Sequence, residues 1–149
     1  MPDLIRPLSP QGAVLDILLA LSAGEVKRLR HALQPIPQSL AMQALVDTGA
    51  SHTSVDSHAF QSFGLPAMKV ILVSTASTGS TPLPREQYEV SLTILHPTGD
   101  PRLHIVLDPL IVTHADLLPA QIPALIGCDL LNRWVFNYDG PRQQFRLTY

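Results

Sequence analysis

Proline interrupts this chain so often that long regular elements are hard to build. Fourteen prolines and eight glycines are spread over 149 residues, and each proline removes a backbone donor and fixes φ. Short strands joined by stiff loops tolerate that spacing, whereas long helices do not. A mainly β architecture is therefore expected. With 46% hydrophobic residues, the chain can bury a core without disulfide or metal. No internal repeat or domain linker is visible, so we expect a single domain over 1–149, with a strand-helix extension at about 1–37.

Local patterns fill in this frame. Residues 12–21 read as a first strand, although their length and leucine content also suit a helix. Ser22 followed by Glu25 makes a capping box, and Val26, Leu29 and Leu33 recur at helical spacing before Pro35 and Pro37 stop the helix. Residues 39–46 lead into a turn at Asp47, and 54–63 form a strand or short helical turn ending at Gly64. Strands are expected at 68–73, 88–95, 103–107 and 110–112, with a Pro-bounded loop at 114–123. The stretch 74–82 is small, polar and uncharged, as in a mobile hairpin. A buried strand at 124–127, a short helix at 129–134 and a hairpin of 135–138 with 144–149 finish the chain.

Charge and rare residues exclude several functions. The net charge is -2 and the ten Lys and Arg are scattered, which gives no footprint for nucleic acid or an anionic membrane. Cys128 has no second cysteine to pair with, so nothing argues for an oxidising compartment. The six histidines show neither HExxH nor zinc-type Cys/His spacing, and we expect no metal and no cofactor. The apolar run 13–21 imitates a signal-peptide core, but Asp16 interrupts it and Arg6 is offset by Asp3. We expect a soluble, cytoplasmic protein.

Chemistry concentrates at Asp47-Thr48-Gly49-Ala50-Ser51. The triplet Asp-Thr-Gly suits any turn, but here Ala44-Leu45-Val46 precedes it and small residues follow, which puts one carboxylate at the end of a packed strand. A Ser-His-Asp set assembled from Ser51, His52 or His58, and Asp56 has no GxSxG elbow to support it.

This segment resembles the signature of the retroviral-type aspartic peptidases, or retropepsins, which runs hydrophobic-hydrophobic-Asp-Thr/Ser-Gly-Ala/Ser. Leu125-Ile126-Gly127, continuing into Cys128-Asp129-Leu130-Leu131, is similar to the strand that passes behind the catalytic turn in that family. Residues 74–82 followed by the strand at 88–94 resemble the hairpin flap that closes over substrate. The matches span 44–138, and the additional segments at both ends look more like cellular and bacterial members. After Gly127 many relatives carry Arg, where this chain has Cys128, and Ser51 stands where retroviral members have an acidic residue. Both ends of one familiar ion pair are thus absent.

The resemblance implies a closed, barrel-like acid-protease half-domain with one or two short helices, active as a two-fold homodimer. Amide hydrolysis by water needs one group to take a proton and another to give one. Two carboxylates sharing a proton do both, because their closeness prevents simultaneous ionisation. Asp47 is then the catalytic acid, one from each chain. Thr48 braces the turn across the axis, and Gly49 permits the turn and close approach of substrate. Ala50, Ser51 and His52 on the cleft floor, with Thr78, Gly79 and Ser80 at the flap tip, contact a peptide or protein substrate. Leu125, Ile126 and Gly127 support the site. The other reading of the same residues is a peptide-binding or dimerisation module with little or no proteolysis.

Overall fold

The computed structural model describes residues 1–75, 79–117 and 120–149. Among these residues ten strands carry the architecture: β1 (Asp3–Pro7), β2 (Val14–Leu21), β3 (Leu40–Val46), β4 (Ser54–Asp56), β5 (Lys69–Val73), β6 (Leu83–Ile94), β7 (Ile105–Ala115), β8 (Ala124–Ile126), β9 (Val135–Asp139) and β10 (Gln144–Thr148). Among the described residues the α-helices are α1 (Ala23–His31), α2 (Ser57–Phe63) and α3 (Cys128–Leu131), and a 3-10 turn lies at Pro101–Leu103. Among the described residues no helix is long and apolar enough to cross a membrane.

Six strands close on themselves in the order β2-β3-β8-β4-β7-β6, because β6 returns to pair with β2. Closure removes the free edges that an open sheet would expose. Strand β5 extends the barrel wall as a hairpin with β6, in the register Val73↔Leu83. A separate sheet, β1-β10-β9, joins the two ends of the chain.

The run at 12–21, ambiguous between strand and helix in sequence, is a strand because both of its edges are used. Ile17 pairs with Met42 on β3 and with Ile94 on β6. Its alternation decides what is buried: Leu15, Ile17 and Leu19 are fully enclosed. On the opposite face Asp16 receives Arg6 of β1 at 2.6 Å, tying the small sheet to the barrel. Val90, Leu92 and Ile94 meet the β2 row from β6, and Val55, Ile126 and Leu130 extend the core beneath the Asp47 turn.

Other segments differ in extent from their sequence patterns. The two strands expected at 103–107 and 110–112 are one continuous β7, and β6 begins at Leu83 rather than Tyr88. Ser22 caps α1 by accepting from the Glu25 N–H at 3.2 Å, and its hydroxyl donates to Glu89 at 2.8 Å. Leu33, expected on the buried stripe of that helix, lies beyond its end with φ of 54° and is 93% exposed. The helix stops a turn early, before the prolines can act on it. Residues 54–63 divide into a short strand and α2, which Gly64 closes at φ 63°. Phe60 of that helix stacks on Tyr88, ring centres 4.0 Å apart.

Candidate active site

Parallel pairing of β3 with β8 sets the position of Asp47. Val46 lies opposite Ile126, and the Asp47 N–H donates to the Ile126 carbonyl at 2.9 Å, so the carboxylate leaves the barrel where its strand ends. The chain then reverses: Ala50 N–H reaches the Asp47 carbonyl at 3.2 Å, and Gly49 N–H donates to Asp47 Oδ1 at 2.9 Å. A Cβ on Gly49 would stand 3.2 Å from that same Oδ1, tighter than ordinary contact. The turn thus orients its own carboxylate through one oxygen. Among the described residues, Oδ2 of Asp47 has no protein partner.

The limb leaving the turn is held against α3. Cys128 N–H donates to the Ala50 carbonyl at 2.8 Å, and Asp129 N–H to that of Ser51 at 3.2 Å. The Cys128 thiol donates to the Thr48 carbonyl at 3.3 Å. In return, Asp129 Oδ1 accepts from Thr53 N–H at 2.9 Å, Thr53 Oγ1 at 2.8 Å and Leu130 N–H at 3.0 Å. Thr53 Oγ1 also accepts from Gly127 N–H at 3.1 Å. These bonds bring His52–Thr53 against Gly127, where a Cβ would lie 2.5 Å from the His52 carbonyl carbon. Glycine is required there by space, since the backbone φ of -95° suits any residue.

Beside the turn lies a cleft of about 500 Å³. Its floor is Asp47, Gly49, Ala50, Ser51, His52 and Ser54, with Leu125 behind. Its walls are Val73, Ser74, Thr75 and Arg85 of the β5–β6 hairpin, and Thr113 to Leu117 at the end of β7. His114 Nδ1 is buried there with no hydrogen-bond partner among the described residues. Asp47 also borders a second depression of about 410 Å³, which contains Thr48, Phe136, Tyr138 and Gly12.

The structure therefore brings Asp47, Gly49, Ala50, Ser51, His52 and Leu125 to one cleft, with Thr48 exposed in the second depression and Ile126 and Gly127 buried. Gly79 and Ser80 are exposed at the hairpin tip, outside the cleft lining, and Gly79 has φ of 59°. Thr78 lies outside the described residues. Ser51 bonds His52 at 3.0 Å while Asp56 bonds His58 at 2.8 Å, two separate pairs rather than a relay. Thr53, Arg85 and Asp116 stand out in no sequence pattern, and Asp129 appears there only within the match at 125–131. The available signal was the spacing of Thr53 from the Asp47 turn and of Asp129 from Gly127.

No family model matches the chain, and no curated protein does. Among solved structures, the chain is similar to the crystal structure of a retropepsin-like aspartic protease from Rickettsia conorii. Identity is 15% and the TM-score 0.57, over 99% of this chain and 91% of that one. A closed six-stranded barrel, few short helices and an alignment over nearly the whole chain lead to one conclusion: the chain has the retropepsin-like acid-protease fold.

Proposed function

We propose that the chain is an aspartic endopeptidase that hydrolyses peptide bonds in extended polypeptides through a dyad of two Asp47 carboxylates, one from each chain of a homodimer. The observation that carries this reading is the constraint on Asp47: its turn is bonded to β8 in front and to α3 behind, and Oδ2 is left for chemistry. Preorganised groups cost no rearrangement during reaction. With a second carboxylate adjacent, one member is ionised and takes a proton from water while the other gives one to the substrate carbonyl. Similarity in fold to an aspartic protease adds to this reading.

The surface around Thr48 suits a second copy. Thr48 is exposed, and Tyr138 and Phe136 of β9 share its depression. Among the described residues β9 pairs only with β10, which leaves its outer edge open beside exposed Val135 and Tyr138. An open strand edge is a template for pairing with another chain. A peptide substrate would lie extended between the floor at Ala50, Ser51 and His52 and the β5–β6 hairpin, whose tip at Gly79 and Ser80 acts as the flap.

Cleavage of an unbiased peptide library by wild type, and not by Asp47→Asn, is the expected result. Equal cleavage by both proteins refutes the assignment. Peptide binding by wild type without cleavage identifies a recognition module instead.

A further inference from the structure

Arg85 sits in the cleft wall as a cation with no carboxylate partner among the described residues. It lies on β6 opposite Ile71 of β5, two residues before Gln87, which pairs with Thr113. Residues two apart share a face of a strand, so Arg85 projects on the side that carries Gln87 and reaches the cleft with Val73, Thr113 and Ala115. It is half-buried and forms no ion pair among the described residues. The five residues outside that description, at 76–78 and 118–119, include no acid. The other ionisable groups lining the cleft are Asp47, Asp116, His52 and His114.

A guanidinium in a cleft wall gains by pairing with an anionic group that a ligand brings. Its planar fork of donors fits a carboxylate in two-point contact, stronger than a neutral hydrogen bond. Asp116 lines the same cleft, yet it is not within ion-pair distance of Arg85. We propose that Arg85 is a specificity residue that receives a Glu or Asp side chain of the bound polypeptide, making acidic extended segments the preferred substrate class. The proposal deepens the peptidase reading and rests on it for the orientation of the peptide in the cleft.

Binding to the Asp47→Asn protein separates recognition from cleavage. A fluorescein-labelled random octapeptide pool, then single peptides differing only by Glu or Gln at the enriched position, would be measured by fluorescence anisotropy. The expected result is about tenfold tighter binding of the Glu peptide, abolished by adding Arg85→Gln, retained with Arg85→Lys and inverted towards Lys-containing peptides with Arg85→Glu. Thermal unfolding of each variant confirms that the protein is folded. Equal binding of Glu and Gln peptides overturns the proposal, as does a preference that survives Arg85→Gln. An Arg85-dependent acidic preference in a protein whose wild type never cleaves supports this assignment while removing the peptidase reading. Library cleavage without acidic preference does the reverse.

Discussion

The Asp129 carboxylate takes up two groups of Thr53 at once, the backbone N–H at 2.9 Å and the hydroxyl at 2.8 Å. Seventy-six residues separate them in the chain. This contact, with the Gly127 N–H on the Thr53 hydroxyl, locks the loop that carries Asp47 to the strand and helix behind it.

Removing either member should loosen the turn. Asp129→Ala strands the Thr53 and Leu130 donors, and Thr53→Val strands the Gly127 amide, for a loss of about 2–3 kcal/mol each. The two losses should be strongly non-additive, because they break one network. Thr53→Ser keeps the hydroxyl and should stay within about 1 kcal/mol of wild type. Urea denaturation of the two single variants and the double variant measures all of this. Full additivity would show that the two residues act independently.

Gly127 gives a steric test of the same region. The added methyl of Gly127→Ala would meet the His52 backbone at 2.5 Å and the Thr53 nitrogen at 2.9 Å, neither of which can rotate away. A loss of about 3 kcal/mol is expected, with soluble yield falling as stability does. Gly49→Ala makes its contact with a side-chain oxygen at 3.2 Å and should cost less stability. Its effect should fall on peptide cleavage, because the displaced oxygen belongs to Asp47. Thermal melts and cleavage rates of the two variants, compared side by side, check this division.

Asp56 sets a pH dependence on the fold. It is 4% exposed, and burial alone would raise its pKa. The N–H groups of His58 and Leu117 and the His58 ring outweigh burial and hold the carboxyl below its ordinary value of 3.8. A depressed folded pKa means that the unfolded chain binds the proton first as pH falls. The stabilisation is therefore fully present above about pH 4 and is lost as pH drops through the folded value. Asp56→Asn should lower stability at pH 7 and flatten the decline below pH 4, read from urea midpoints across pH. An unchanged acid slope would assign the decline to other carboxylates.

Much of the candidate site was legible because its signals are local. The apolar strand, the Asp47-Thr48-Gly49 turn and the Leu125-Ile126-Gly127 strand each carry their meaning within a few residues. Thr53 and Asp129 carry theirs only together, across 76 positions, so neither stood out. Arg85 reads as an ordinary surface charge until the β5–β6 register turns it into the cleft. The identity of β2 was also non-local, since pairing at both edges, rather than its leucine-rich composition, makes it a strand. Leu33 fitted the helical period, but the chain leaves the helix before reaching it.

The central claim is that catalysis needs an Asp47 from each of two chains, and subunit mixing tests it most directly. A fixed amount of wild type would be equilibrated with increasing Asp47→Asn and its cleavage of a reporter peptide followed. Random pairing into inactive mixed dimers predicts that activity per wild-type chain falls to about half at equal concentrations and continues towards zero with excess variant. Activity that stays constant throughout the titration would contradict a shared active site.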